Sequence, residues 1–192
     1  TLLGKRWGEL NLRREPDLVN FRGADLRKGN FSSMEFPYVI MDGANLEWAY
    51  LKEAELEGAN LSETNLKGAY MVGANLEGAD LVEANLKDAC LKGANLVRAT
   101  LEGAYMVGTN MESAYMVRST LARANMAGAY IVRANLKRAY LKGANLKGVH
   151  FRWYDIAESG QDPSLFPERD FDERTYEEWK AFLLEEAPPS DD

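Results

Sequence analysis

Cysteine and histidine are almost absent from the 192-residue chain, which contains only Cys90 and His150. A single cysteine cannot form an internal disulfide, and one residue of each type cannot supply a Cys/His zinc site. Catalysis by a Ser-His-Asp or Cys-His arrangement would depend on His150 alone. The sequence also has no Gly-rich phosphate loop, no dinucleotide fingerprint and no apolar run long enough to cross a membrane. We therefore expect no enzyme, no cofactor, no bound metal and no membrane partner.

What the chain has instead is a strict period of five. From Phe21 to Ile156 every fifth residue is large and apolar, at 28 positions, and 19 of the 28 residues two places earlier are alanine. In an α-helix a five-residue period would spread the apolar residues over every face. In a straight strand an odd period would send successive apolar residues to opposite faces. Only a chain that turns a corner in each unit keeps both the large apolar residue and the alanine inside. Four corners close a coil of about 20 residues. The periodic segment makes about seven coils, stacked roughly 4.8 Å apart.

The unit reads A-(N/D)-L-x-x, as in the stretch from Gly73 to Leu81. This pattern resembles the pentapeptide-repeat family, and its regularity is closest to that of cyanobacterial and plant members. The resemblance implies an all-β fold, a right-handed quadrilateral β-helix. The family also includes bacterial proteins that protect or inhibit DNA gyrase by imitating DNA. The repeat thus predicts the fold strongly and the function weakly.

The two ends of the chain depart from the pattern, as the exposed ends of a solenoid require. We assign residues 1–20 to an N-terminal cap, 21–158 to the β-helix, and 159–192 to a linker, a capping helix and an acidic tail. A capping box and one apolar face predict a helix over 172–186. That face carries Tyr176, Trp179, Phe182 and Leu183. It either covers the last coil of a monomer or forms a C-terminally mediated homodimer.

The net charge of −7 belongs to the tail, because residues 157–192 hold 3 basic and 12 acidic side chains. The repeat itself is close to neutral but polarised: residues 21–90 carry 6 basic and 12 acidic groups, and residues 91–156 carry 10 and 3. A protein that imitates DNA should be acidic along its whole length. The uneven distribution therefore argues against DNA mimicry.

Residues 20 apart share a column on one side of such a coil, so Arg98, Arg118 and Arg138 form a ladder with Lys137 beside it. Stacked guanidinium groups suit carboxylates or phosphates. The alternatives are a solvated face satisfied by Asp170, Asp172 or Glu173, and an external acidic partner. Direct nucleic-acid binding is not expected.

A second column contains Tyr50, Tyr70 and Tyr130, with Cys90 between them, in the outward slot before the central Leu. Asn or Asp usually closes the turn at this slot. The tyrosines either stack as part of the scaffold or offer an adhesive surface to a protein partner. We interpret Cys90 as a passive substitution rather than a redox-sensitive thiol, and His150 as a packing residue rather than a ligand.

Together these features predict a non-catalytic protein-binding scaffold that presents the faces of a rigid rod to a partner whose identity the sequence does not give. The alternative function is a DNA-mimicking inhibitor or protector of a type II topoisomerase. The chain starts at Thr1 rather than Met and shows no signal peptide. We expect a cytoplasmic protein, with processed export, for example to a thylakoid lumen or a periplasm, as the alternative.

Overall fold

The computed structural model describes residues 19–161 and 163–165. In this part the backbone forms a stack of four-sided coils, each 20 residues long. Parallel β-bridges join residue i to residue i+20 at every fifth position, without a gap from Asn20–Ile40 to Tyr130–His150. Each bridge is one residue wide, so each side of the coil is a minimal strand between two corners. The predicted four-sided parallel solenoid is confirmed.

Backbone hydrogen bonds satisfy four of the five N–H groups in a typical unit. The central residue donates to the next coil, as Leu51 does to the carbonyl of Tyr70 at 2.8 Å, and the residue two places later does the same. The residue before the centre donates to the previous coil. The alanine closes the turn, as Ala54 does to Leu51 at 3.1 Å. Coil stacking therefore pairs nearly all of the backbone, as burial requires.

The axis of the rod is filled by the central residues, while the alanines fit where the backbone crowds them. Both sets are almost wholly buried between Met41 and Leu136. Three polar residues stand at alanine positions and are fully enclosed. Thr64 and Thr109 donate to backbone carbonyls of the previous coil, and Ser119 donates to Met116, each at 2.8 Å. Their hydroxyls are therefore satisfied, which makes their burial tolerable.

Three of the four central residues of the first coil are phenylalanine, where later coils use mostly leucine or methionine. Phe36 makes edge contacts with Phe21 and Phe31, with ring centroids 6.2 and 6.3 Å apart. Gly29 stands at an alanine position because a Cβ there would lie 2.4 Å from the Phe31 ring. This coil already includes Val19, whose carbonyl accepts from Ile40 at 2.9 Å. The coil thus begins two residues before the predicted boundary.

The last bridge is at His150, and a helix, α1, follows at Trp153–Ser159, with a 3₁₀ turn at Pro163–Leu165. The apolar period extends to Ile156, but the coil does not. Ile156 still points inward and is buried, now from the helix, because a helix can bury one apolar residue as well as a coil can. The predicted helix over 172–186 and its face of Tyr176, Trp179, Phe182 and Leu183 lie outside the described residues, as do residues 1–18.

Side chains of α1 and of the residues that follow it also replace hydrogen bonds that a further coil would provide. The Asp155 carboxylate accepts the backbone N–H of Arg133 at 2.7 Å. The Gln161 amide donates to the carbonyls of Leu136 and Ala139 at 2.8 and 3.1 Å. These side chains satisfy one backbone N–H group and two backbone carbonyls at the exposed edge of the solenoid.

Candidate binding surface

One of the four sides separates its charges by sign, and we call it the dipolar face. Its units are centred on Phe36, Leu56, Leu76, Leu96, Met116 and Leu136. The first three units carry the acidic strip, which consists of Glu35, Glu55, Glu57 and Glu77. The last three carry the basic strip, which consists of Arg98, Arg118, Lys137 and Arg138. Glu77 is half-buried, and the other seven residues are exposed.

The arginines stand in consecutive coils of one column, as the 20-residue spacing predicts. The backbone N–H of Arg98 donates to Val117, and that of Arg118 donates to Lys137, each at 3.0 Å. Adjacent arginines are therefore one coil apart, roughly 4.8 Å. Lys137 precedes Arg138 on the same unit. The structure thus brings the four predicted basic residues together on one surface.

Each arginine of this column has a left-handed backbone, with φ of 59°. This conformation is unfavourable for residues with a Cβ, by about 1–2 kcal/mol. The earlier coils place Gly58 and Gly78 in the same column, with φ of 62° and 65°. The fold therefore accepts glycine here and gains no backbone stability from arginine. The charge is what distinguishes the later coils.

The basic strip has no carboxylate partner in the described part of the chain. Residues 91–156 contain three acidic side chains, and each pairs with a base outside the strip. The pairs are Glu112 with Lys92 at 3.0 Å, Glu102 with Arg123, and Asp155 with Arg152. Asp170, Asp172 and Glu173, the predicted internal partners, lie outside the described residues. Among the residues that the structure describes, the four cations of the strip face solvent.

The acidic strip likewise lacks a basic partner within the described ranges. Glu55 accepts from the Asn75 amide at 2.8 Å, and Glu77 accepts from Asn95 at 3.3 Å. These amides orient the carboxylates without neutralising them. Two of the four charges are thus held in place on the surface.

The other three sides mix acids and bases. Six ion pairs lie within them, for example Lys67 with Glu47 at 3.3 Å, and the seventh joins Arg152 to α1. On the neighbouring side, next to the acidic strip, Glu63, Asp80 and Glu83 form no ion pair among the described residues. The acidic strip and these three residues together make an acidic patch. This acidic patch ends where Glu102 pairs with Arg123. It covers only the N-terminal part of the rod.

The tyrosine column is also assembled as predicted. Bridges join Tyr50 to Tyr70 and continue through Cys90 and Asn110 to Tyr130 and His150. Tyr50 is 54% exposed. The rings of Tyr130 and His150 are parallel, with centroids 4.2 Å apart. His150 therefore packs against the column, which agrees with its interpretation as a packing residue.

Asparagine in the same slot has a local role that tyrosine cannot fill. The Asn85 side chain accepts the backbone N–H of Lys87 at 3.2 Å, and this contact recurs along the rod. Asn65 also accepts from the Asn85 amide at 3.2 Å, which links successive coils. Tyrosine at this slot gives up the turn contact for an exposed ring.

The five-residue pattern does not single out two exposed aromatic residues, Tyr38 and Trp48. Both have positive φ and lay their rings over a glycine of the next coil. A Cβ on Gly58 would lie 2.5 Å from the Tyr38 ring, and one on Gly68 would lie 2.4 Å from the Trp48 ring. The signal in the sequence is an aromatic residue followed by glycine 20 places later. Trp48 flanks Tyr50 across Ala49 and enlarges the aromatic surface there.

In the described part of the chain, no helix has the length and apolar character needed to span a bilayer. No group of three or more His, Cys, Asp or Glu side chains in that part of the chain is arranged to hold a metal ion.

Solved structures similar to this chain are pentapeptide repeat proteins from cyanobacteria and plants, among others. HetL, involved in heterocyst differentiation regulation in the cyanobacterium Nostoc sp., is 28% identical, with 68% of this chain and 73% of that chain covered and a TM-score of 0.29. QnrB1, a plasmid-mediated fluoroquinolone resistance protein, is 18% identical, with 73% and 84% covered and a TM-score of 0.38. A pentapeptide repeat protein of the Arabidopsis thaliana thylakoid lumen is 20% identical, with 87% and 92% covered and a TM-score of 0.20.

No curated relative matches the sequence. The family model for pentapeptide repeats (8 copies) matches residues 18–52, 36–68, 59–96, 94–131 and 114–152. These ranges overlap into one continuous segment, residues 18–152, that contains every described bridge. Because the matched segment is well over half of the chain, the protein belongs to the pentapeptide repeat family.

Proposed function

We propose that the protein is a non-catalytic binding scaffold whose basic strip captures an acidic surface of a protein partner. Members of the family are generally structural or binding proteins, and no catalytic family is indicated for this chain. The observation that carries the proposal is the pairing of charges. Every acidic residue between 91 and 156 already has a base, and the basic strip is left with four cations.

Guanidinium chemistry favours carboxylates as the ligand. Arginine presents five donors in a planar fork that binds a carboxylate through two hydrogen bonds. The rigid coil fixes the backbone beneath three such groups, so ligand binding has to order only their side chains. Exposed ion pairs are individually weak, at about 0.2–1 kcal/mol, so affinity requires several of them at once. The strip supplies four.

Protein is favoured over nucleic acid because the strip is short. Its arginines span two coil intervals, roughly 10 Å. Nucleic-acid sites of useful affinity usually neutralise many phosphates. The acidic half of the same face would also repel a longer polyanion. We therefore propose no direct nucleic-acid binding.

The test is binding of a fluorescent glutamate-rich peptide, followed by anisotropy at 50 and 300 mM salt. The variant is Arg98→Gly/Arg118→Gly/Arg138→Gly. Glycine suits the left-handed backbone of these positions, so the variant removes charge without straining the fold. We expect at least tenfold weaker binding for the variant, and a clear loss of wild-type binding at the higher salt concentration.

The matched control is Lys87→Gln/Lys142→Gln/Lys147→Gln, which removes three cations without a described ion pair from outside the dipolar face. It should change binding less than threefold. Equal losses in the two variants would show a response to net charge and refute the site. Tighter binding of a DNA oligonucleotide than of the peptide would also contradict a protein partner.

The acidic patch is the one observation that favours the alternative, a DNA-mimicking regulator of a type II topoisomerase. The patch covers only the first coils, and basic residues follow on the same face. Mimicry of a phosphate backbone needs a longer continuous field. We therefore expect no effect of micromolar protein on gyrase supercoiling, and inhibition or protection at that concentration would restore this alternative.

A further inference from the structure

We propose that a second copy of this chain docks on the dipolar face in antiparallel orientation, with the acidic strip of each copy against the basic strip of the other. The inference rests on the proposed function, because it uses the same basic strip and names its partner. The observation behind it is that eight charges without described ion pairs are sorted by sign on one side of the rod.

The order of the charges selects the orientation. The acidic strip occupies the first three units of the face and the basic strip the last three, so the midpoint lies between Leu76 and Leu96. A two-fold axis that passes through this midpoint, perpendicular to the rod, places each unit opposite the unit of the second copy that lies equally far from the midpoint on the other half. Arg98 then faces the coil of Glu77, Arg118 faces the coil of Glu55 and Glu57, and Lys137 with Arg138 faces the coil of Glu35. A parallel dimer would place acid on acid, and only the antiparallel one is self-complementary and closed.

The spacing of the charges selects the kind of partner. Charges on this face repeat once per coil, roughly every 4.8 Å. An α-helix offers one residue per turn at about 5.4 Å, and an extended strand offers alternate residues at about 6.6 Å. A β-sheet crossed perpendicular to its strands repeats at the same interval, and another stack of coils is such a surface. A second copy therefore stays in register along the whole face, while a helix or a strand drifts out of it.

The remaining sides do not offer the same match. Six ion pairs already join acids and bases within those sides. On the neighbouring side, the unpaired acids Glu63, Asp80 and Glu83 are matched by one base without a described ion pair, Lys142. Docking there would have to break existing pairs. Beside Arg98 and Arg118 the dipolar face also presents the half-buried Val97 and Val117 and the exposed Tyr115. These apolar side chains lie near the middle of the proposed interface, where complexes exclude water most fully.

The interface should be weak and sensitive to salt. Six coils at roughly 4.8 Å and three extended residues per side give a footprint of about 29 by 10 Å. That is about 300 Å² per copy, well below the roughly 800 Å² of a standard stable interface. Salt near 0.5 M shortens the screening length to about 4 Å and removes most of the attraction. The dimer is therefore reversible.

The experiment is sedimentation velocity of the full chain from 10 to 500 μM, in 20 and 500 mM NaCl. We expect the sedimentation coefficient to rise with concentration only at low salt. Two charge reversals then test the face, Arg98→Glu/Arg118→Glu and Glu57→Arg/Glu77→Arg. Each variant alone should associate at least tenfold more weakly than wild type, and an equimolar mixture of the two should recover or exceed wild-type association.

The control is Glu63→Arg/Glu83→Arg, which reverses acidic residues on the neighbouring side and should leave association within threefold of wild type. Equal weakening in this control would overturn the proposal. So would association that persists at 500 mM salt, since it would indicate an apolar contact such as the predicted C-terminal one. Loss of association in Asp170→Asn/Asp172→Asn/Glu173→Gln would also overturn it, because the tail would then be the acidic occupant.

The failure of this inference can be told apart from failure of the proposed function. Glu57→Arg/Glu77→Arg keeps the basic strip and should bind the glutamate peptide at least as tightly as wild type. If wild type binds the peptide through the strip but stays monomeric at low salt, the proposed scaffold function is supported and the proposed dimer is wrong. If removal of the arginines leaves peptide binding unchanged, the proposed site itself is wrong.

Discussion

Replacing Gly68 with alanine should destabilise the protein much more when Trp48 is present than when it is absent. A Cβ at Gly68 would lie 2.4 Å from atoms of the Trp48 ring, which no real contact allows. The backbone at Gly68 also has a φ of 64°, which disfavours any residue with a Cβ. The substitution therefore has two separable effects, backbone strain and displacement of the ring.

The structure sets the size of each effect. Left-handed strain amounts to about 1 kcal/mol. Trp48 is 50% exposed, so its ring covers roughly 100 Å² of apolar surface. At about 25 cal/mol per Å², complete displacement would lose about 2.5 kcal/mol. Because the ring can shift and keep part of its contacts, we expect Gly68→Ala to cost 2–3 kcal/mol in total, with ~1–2 kcal/mol coupled to Trp48.

The measurement is chemical denaturation of Gly68→Ala, Trp48→Ala and the double variant. Gly78→Ala is the matched control, because its φ is 65° and a Cβ there meets nothing within 4 Å. In the Trp48→Ala background, the alanine at 68 should cost no more than it does at 78. A cost at 68 that is the same with and without Trp48 would refute the placement of the ring over the glycine.

Three further predictions concern hydrogen bonds. Thr109→Val should lower stability by about 1 kcal/mol, because the buried hydroxyl donates to the carbonyl of Leu86 at 2.8 Å; an unchanged denaturation midpoint would contradict this. Asn65→Ala should cost about 2 kcal/mol, since the side chain bonds the neighbouring asparagines at 3.0 and 3.2 Å; a loss below 0.5 kcal/mol, on the order of an ordinary surface change, would contradict the ladder. The side-chain hydrogen bond from Arg27 lowers the pKa of Asp25, so its contribution to stability is present above the unfolded pKa and is lost as pH falls through the folded one. NMR titration should show a higher Asp25 pKa in Arg27→Gln, and the same pKa in both proteins would refute the assignment.

The five-residue period was sufficient to predict the coil, its core and its columns. Once Leu51 and Leu56 must both point inward, a corner is required between them, and four corners determine which residues stack. This is why the sequence alone places Arg98 and Arg118 in one column. The period failed only at Ile156, because an inward apolar residue is compatible with a coil and with a helix. At this point the Asp155 carboxylate takes the place of a backbone carbonyl as the acceptor for the Arg133 N–H.

Ion pairs and ring positions could not be predicted in the same way. The column rule places Glu102 near several bases, but it does not say that Arg123 rather than Arg118 will take the carboxylate. That choice depends on side-chain conformations at a corner. The Trp48 ring was missed for a related reason, since the turn position alone does not show that the ring lies along the rod over the next glycine. The pattern therefore fixes the backbone position of each residue, but it does not determine the side-chain conformation or the contacts at the end of a long side chain.

The basic strip should give the isolated monomer and the associated form opposite responses to salt. Arginines one coil apart repel each other, by about 0.9 kcal/mol per neighbouring pair of unit charges at roughly 4.8 Å in water. Salt screens this repulsion, so at dilute protein the column's contribution to the denaturation midpoint should rise between 20 and 500 mM NaCl, measured as the difference between wild type and a variant without the column. Association should fall over the same range, because there the screened charges attract.

The Arg98→Gly/Arg118→Gly/Arg138→Gly variant separates the two effects. Without the column its stability should respond less to salt than that of wild type, and it should be at least as stable at 20 mM because glycine suits the backbone there. An equal salt response in the two proteins would mean that the column is neutralised within the chain, for example by the acidic tail. In that case the strip would not be open to any partner. Stability measured against salt therefore tests the premise on which both proposals depend.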